Sequence, residues 1–172
     1  AGFEAVEFLF PYGFEAREIR RRLDDNGLAL VLHNLPAGDW DQGDRGIACQ
    51  PDRVAEFRAG VQRALDYAAV LGVRQLNCLA GKSPDGVEAE RVRATLIDNL
   101  AFAAQRLQAA GLRLLIEPIN TFDIPGFYLT RTVQAAGLLG EVGADNLFIQ
   151  YDIYHAQRME GELAATIEKY LP

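Results

Sequence analysis

One unit recurs along this chain and limits its fold more than any other feature: a short apolar run, a polar loop, a longer stretch with 3.6-residue periodicity, then glycine or asparagine and another apolar run. The apolar runs are residues 5–10, 28–34, 75–79, 112–116 and 147–151. Each is nearly continuous in apolar side chains, as parallel strands covered by helices tend to be. Within 51–71, Val54, Phe57, Val61, Leu65 and Ala68 share one helical face, and Val92, Leu96, Leu100, Ala103 and Leu107 do the same in the next periodic stretch. Gly27, Gly72, Gly111 and Gly143 stand where a left-handed residue closes a helix before the next strand. The expectation is an α/β fold with five βα units.

Five such units in a row build either an open doubly wound sheet or part of a closed (β/α)₈ TIM barrel, and periodicity does not separate the two. A nucleotide-binding sheet is expected to carry a glycine-rich phosphate loop after a strand, and neither GxGxxG nor GxxxxGK[ST] occurs. The barrel is favoured. A barrel of this type has about 250 residues, so residues 1–172 are expected to form a single partial barrel domain of five units, with three strands missing. The opening residues Ala1, Gly2 and Phe3 resemble neither a signal peptide nor an initiator methionine, so the chain is expected to start within a longer protein.

Charge and cysteine usage narrow the partners. A formal net charge of -7 without a Lys/Arg cluster argues against nucleic acid or an anionic membrane surface. No apolar run approaches the roughly 20 residues of a membrane span. Cys49 and Cys78 lie far apart without a second metal-type pair, which argues against a disulfide framework or a zinc knot and fits a reducing cytoplasm.

Chemistry in a barrel gathers where strands end, because the strands fix the positions of the polar residues there. Glu117 follows the run 112–116 directly, either as a site carboxylate or as a structural acid paired with an arginine or a helix terminus. Asp152 closes the run 147–151, and His155 comes three residues later. The two acids are 35 residues apart, about one βα unit, which puts them on neighbouring strands at the same rim. Two carboxylates facing one cavity repel unless a cation lies between them, and a divalent ion such as Mg²⁺ or Mn²⁺ is the economical choice. Asp152 is also a good N-cap for the helix after it. His155 is open to three roles: ligand, substrate donor or half-buried histidine.

Other polar residues are less determined. Lys82, after another strand, either meets a substrate carboxylate or stays solvated. His33 lies within an apolar run and is expected in the core or behind the site. Glu7 is expected to point into the barrel mouth or to pair with a cation. The long loop from Pro36 through Ala48 holds Trp40 and Arg45, which either shield a small substrate or pack the loop onto the barrel.

The stretches HNLPAGDW, GDRGIAC, NCLAGK, LLIEPIN, FDIPGF and IQYDIYHAQRMEGEL, spread over almost the whole chain, resemble the hydroxypyruvate isomerase family of xylose-isomerase-like barrels. The resemblance implies conversion of hydroxypyruvate to 2-hydroxy-3-oxopropanoate within glyoxylate metabolism. It makes Glu117 a catalytic acid/base that also approaches a divalent metal, Asp152 a metal ligand and His155 a substrate contact. Asp123, six residues beyond Glu117, corresponds to a substrate-contacting acid of related ketose epimerases. The family completes its site with a further ligand and a second catalytic glutamate on later strands, and neither is expected in this chain. The rivals are a 2-oxo-tetronate isomerase or a ketose 3-epimerase on the same barrel. Outside enzymes, a truncated barrel could act as a binding or assembly module; its open strand edges imply aggregation, a homo-oligomer paired across them, or flanking segments missing from this sequence, and missing flanks are favoured.

Overall fold

The computed structural model describes residues 2–170. Five strands, β1 (Ala5–Phe8), β2 (Ala29–Asn34), β3 (Gln75–Cys78), β4 (Arg113–Ile116) and β5 (Leu147–Ile149), form one parallel sheet in the order β1-β2-β3-β4-β5. Consecutive order settles what periodicity left open, because a doubly wound sheet reverses direction at a switch point and a barrel wall does not. The strands alternate with α1 (Ala16–Asp25), α2 (Val54–Leu71), α3 (Ala89–Ala109) and α4 (Thr132–Val142), while α5 (Ile153–Met159) and α6 (Leu163–Tyr170) follow β5. No described helix is long and apolar enough to cross a membrane.

The strands are shorter than their apolar runs. β1 stops at Phe8 and β5 at Ile149, where the backbone leaves the ladder and the rim side chains turn toward the mouth. Helix ends follow the glycines: Gly72 and Gly143 adopt φ of 74° and 64°, a conformation an L side chain resists, and each donates its N–H back to the last turn.

Alternation along the strands sorts the two faces. Leu76, Cys78, Leu114, Ile116 and Leu147 turn toward the helices and meet Val61, Leu96, Leu100, Leu107 and Leu138 in one core. Burying each leucine there contributes about 2–3 kcal/mol. Truncating Leu100, which has no exposed surface, to alanine is expected to cost about 2–5 kcal/mol. The residues between them face the concave side, where Val31 and Phe148 are 42% and 41% exposed.

One irregularity matters for the site. Val6 pairs with Leu30 but Phe8 pairs with His33, so β2 carries one extra residue opposite β1. The bulge sends His33 to the helix side, where it is wholly buried against the edge of Tyr12, and leaves Asn34 on the cavity side. His33 is thus a core residue behind the rim. Cys49 and Cys78 are buried free thiols.

Candidate active site

The carboxyl ends of the strands open into a cavity of about 450 Å³. Its polar lining comprises Glu7, Asn34, Trp40, Glu117, Asp123, Gln150, Asp152 and His155, and its apolar lining includes Phe8, Leu32, Leu79, Ile119 and Ile124. No lysine or arginine lines it among the described residues.

Glu117 leaves the sheet immediately after β4 and is only 8% exposed. Its Oε2 accepts a hydrogen bond from Asn77 Nδ2 at 2.9 Å. Burial pushes its carboxyl up to about 7; Asn77 opposes that shift, and the charges of Asp152 and Glu7 add to it. No arginine pairs with it among the described residues.

The N-cap that the sequence offered for Asp152 occupies only one of its two oxygens. Oδ1 caps α5, accepting from the backbone N–H of Tyr154 at 2.7 Å and of His155 at 3.3 Å. Oδ2 is left facing His155 Nε2 at 4.0 Å. Donor atoms of Glu117, Asp152 and His155 all lie within 4.8 Å of one another.

The hydrogen bonds around His155 locate its proton. Asn120 Oδ1 accepts from the N–H groups of Phe122 and Asp123 at 3.0 and 2.9 Å, which fixes the orientation of that amide. Its Nδ2 therefore donates, to Asp123 Oδ2 at 2.9 Å and to His155 Nδ1 at 2.7 Å. The Asn120 backbone N–H also points at Nδ1, at 3.4 Å. With Nδ1 accepting, the neutral ring carries its proton on Nε2, the atom 4.0 Å from Asp152 Oδ2. This is the tautomer of a hydrogen-bond donor. A divalent ion suits the pair Glu117 and Asp152, whose mutual repulsion it would relieve, with His155 presenting an N–H beside it.

The remaining expected residues fall in different places. Asp123 reaches the cavity, held by Asn120 and by Tyr154 Oη at 2.8 Å, and those two hydrogen bonds keep its carboxyl below the usual range. Lys82 does not line the cavity; its ammonium donates to the Gly43 carbonyl at 3.0 Å and so ties the loop after β2 to the loop after β3. Trp40 lines the cavity and packs on Phe10, with the Arg45 guanidinium 4.1 Å from its ring centre. Glu7 points into the mouth with no cation paired to it among the described residues. Asn34, Asn77, Asn120, Gln150 and Tyr154 were not foreseen as site residues. For Asn34 a signal existed, since it closes an apolar run, whereas Asn77 lies inside the run 75–79.

The chain belongs to the xylose isomerase-like TIM barrel family, whose model matches residues 1–171. Among its relatives, hydroxypyruvate isomerase of Escherichia coli (strain K12) is 55% identical over 169 residues, which is 98% of this chain and 66% of that protein. The 2-oxo-tetronate isomerase of Cupriavidus necator is 48% identical, over 98% of this chain and 65% of that protein. A crystal structure of an AP endonuclease, family 2, from Brucella melitensis superposes with a TM-score of 0.94 at 42% identity, covering 98% of this chain and 65% of the other. An L-ribulose 3-epimerase superposes with a TM-score of 0.77 at 21% identity, over 98% of this chain and 57% of the other, and shares the fold. The chain thus spans slightly less than two-thirds of the length of these relatives.

Proposed function

We propose that the protein is a hydroxypyruvate isomerase, interconverting hydroxypyruvate and 2-hydroxy-3-oxopropanoate with a divalent metal ion. The observation that carries the reading is the convergence of Glu117, Asp152 and His155 within 4.8 Å at the strand-end rim. The 55% identity to the Escherichia coli enzyme supports the choice of substrate.

The reaction moves a proton from C3 to C2 of a hydroxy-carbonyl compound and another between the two oxygens, through an enediolate. Glu117 is suited to take the C3 proton, because a carboxyl that ionises near 7 is a stronger base than an ordinary one and still half ionised at neutral pH. His155 Nε2–H donates to the oxygen on which negative charge grows. A divalent cation held by Glu117 and Asp152 would supply further positive charge for the enediolate. Return of the proton to the opposite face of the reacting carbons falls to a second carboxylate outside this chain, as the family resemblance implies.

The test is turnover of hydroxypyruvate by the full-length protein and by the 172-residue chain, each with Mg²⁺ or Mn²⁺. Turnover by the full-length protein alone is expected. Full turnover by the short chain would overturn the two-carboxylate mechanism. A preference for a four-carbon 2-oxo acid would favour the second reading, 2-oxo-tetronate isomerase, which rests on the 48% identity to the Cupriavidus necator protein. Phosphodiester cleavage, suggested by the name of the Brucella structure, fits less well: a multi-zinc site calls for more histidines than the two in the sequence, and a formal net charge of -7 gives no basic surface for a phosphate backbone. The two buried free thiols support a cytoplasmic protein.

A further inference from the structure

Glu117 settles the orientation of two neighbouring amides. A carboxylate only accepts hydrogen bonds, so the Asn77 atom 2.9 Å from Oε2 is the NH₂ nitrogen. The same nitrogen lies 3.2 Å from Asn34, whose atom at that contact is therefore its carbonyl oxygen. Both Asn77 N–H bonds are used in this way, and the Asn34 NH₂ is turned away from Asn77. Asn34 is 3% exposed and lines the cavity, and its NH₂ meets no acceptor among the described residues. Asn77 Oδ1 is buried without a partner, so the series does not maximise hydrogen bonding; it aims donors at Glu117 and at the cavity.

We propose that Asn34 is a substrate-binding residue whose NH₂ donates to a carbonyl or carboxylate oxygen of a short 2-oxo acid, with Asn77 as the positioning residue that aims it. The proposal rests on the isomerase reading for its choice of ligand. Glu7, Glu117, Asp123 and Asp152 make the cavity strongly acidic, and an anionic substrate entering it finds no lysine or arginine among the described lining residues. Beside a divalent cation on Glu117 and Asp152, neutral donors held in fixed directions are the side chains of this lining that can receive such a molecule. In the order of the sheet Asn34, at the end of β2, and His155, on α5 after β5, lie to either side of Glu117 at the end of β4, and both line the cavity.

The experiment uses Asn34→Asp in the full-length protein. Aspartate keeps the size and an oxygen for Asn77 but replaces the donor with an anion facing the substrate. KM for hydroxypyruvate is expected to rise by about 100-fold, with Mn²⁺ affinity measured by calorimetry and the melting temperature close to wild type. A KM within about threefold of wild type would overturn the proposal. Should Asn34→Asp fail to fold, Asn34→Ala serves instead, with an expected rise of about 10-fold. Calorimetric titration with pyruvate separates this proposal from the isomerase reading. Pyruvate binding by the wild type that is lost in the variants supports Asn34 even where no turnover is found. Binding unchanged in the variants overturns it. A wild type that neither turns over hydroxypyruvate nor binds pyruvate overturns both.

Discussion

The β4 rim and the β5–α5 corner each present a carboxylate to the same cavity, yet they hold it by opposite means. At β4 the sheet buries Glu117, gives it one neutral amide, and leaves its ionised form poorly compensated. At β5 the helix N-terminus receives Asp152, satisfying one oxygen with two backbone N–H groups near the positive end of α5. The difference teaches a division of labour: burial makes a base, whereas a helix cap makes a fixed anion. A site built from two copies of either arrangement would lack one of the two functions.

The contrast is most exposed to attack at Glu117. Glu117→Gln keeps the hydrogen-bond geometry but removes the base, and kcat of the full-length protein is expected to fall by about 10³- to 10⁴-fold; a fall under tenfold would mean that proton removal belongs elsewhere. Asp152→Asn keeps the cap and discards the charge. Divalent cation affinity in calorimetry is expected to drop by at least about 10- to 100-fold, with thermal stability nearly unchanged because asparagine caps as well as aspartate.

Stability gives the next test. Glu117 ionises near 7 in the folded chain, against an ordinary value of 4.5, so the folded state holds this proton more tightly than the unfolded state. The stabilisation is fully present below about pH 4.5 and is lost as pH rises through about 7. In chelator at pH 8, Glu117→Gln should therefore be more stable than wild type by about 3 kcal/mol, and the gain should vanish near pH 4.5. Chemical denaturation at the two pH values checks this, and equal gains at both would show that burial of the charge is not the cause. The smallest effect belongs to the cap: Asp152→Ala should cost about 1 kcal/mol more than Asp152→Asn in the same measurement.

Much of this was legible in the sequence, for reasons that differ between residues. The five strands stand out because each packs its core face under helices and so reads as a nearly unbroken apolar run; the same property hides where pairing stops, and β1 and β5 end two residues early. Glu117 and Asp152 could be found because a charge at the end of an apolar run is conspicuous. Asn34 obeys the same rule but carries no charge, and an asparagine at the end of a strand is as readily a turn residue; Asn77 sits inside its apolar run, where nothing marks it. His33 shows the opposite limit: a one-residue bulge, invisible in composition, turned its side chain to the helix side of the sheet. The tautomer of His155 depends on Asn120, which no spacing argument reaches.

Lys82, expected at the substrate, holds the Gly43 carbonyl instead, and its own backbone bridges to Phe127 in the loop after β4. Close by, a Cβ on Gly46 would meet the Leu79 carbonyl at 2.3 Å, so the loops after β2 and β3 touch backbone to backbone. Three successive loops are thereby fastened into one arc. An arc of this kind is a mould and not a jaw: a small molecule settling against it orders little that was loose before, and its affinity is correspondingly less taxed by lost motion. Cutting the fastening with Lys82→Met would then weaken capture of a molecule the lysine never meets.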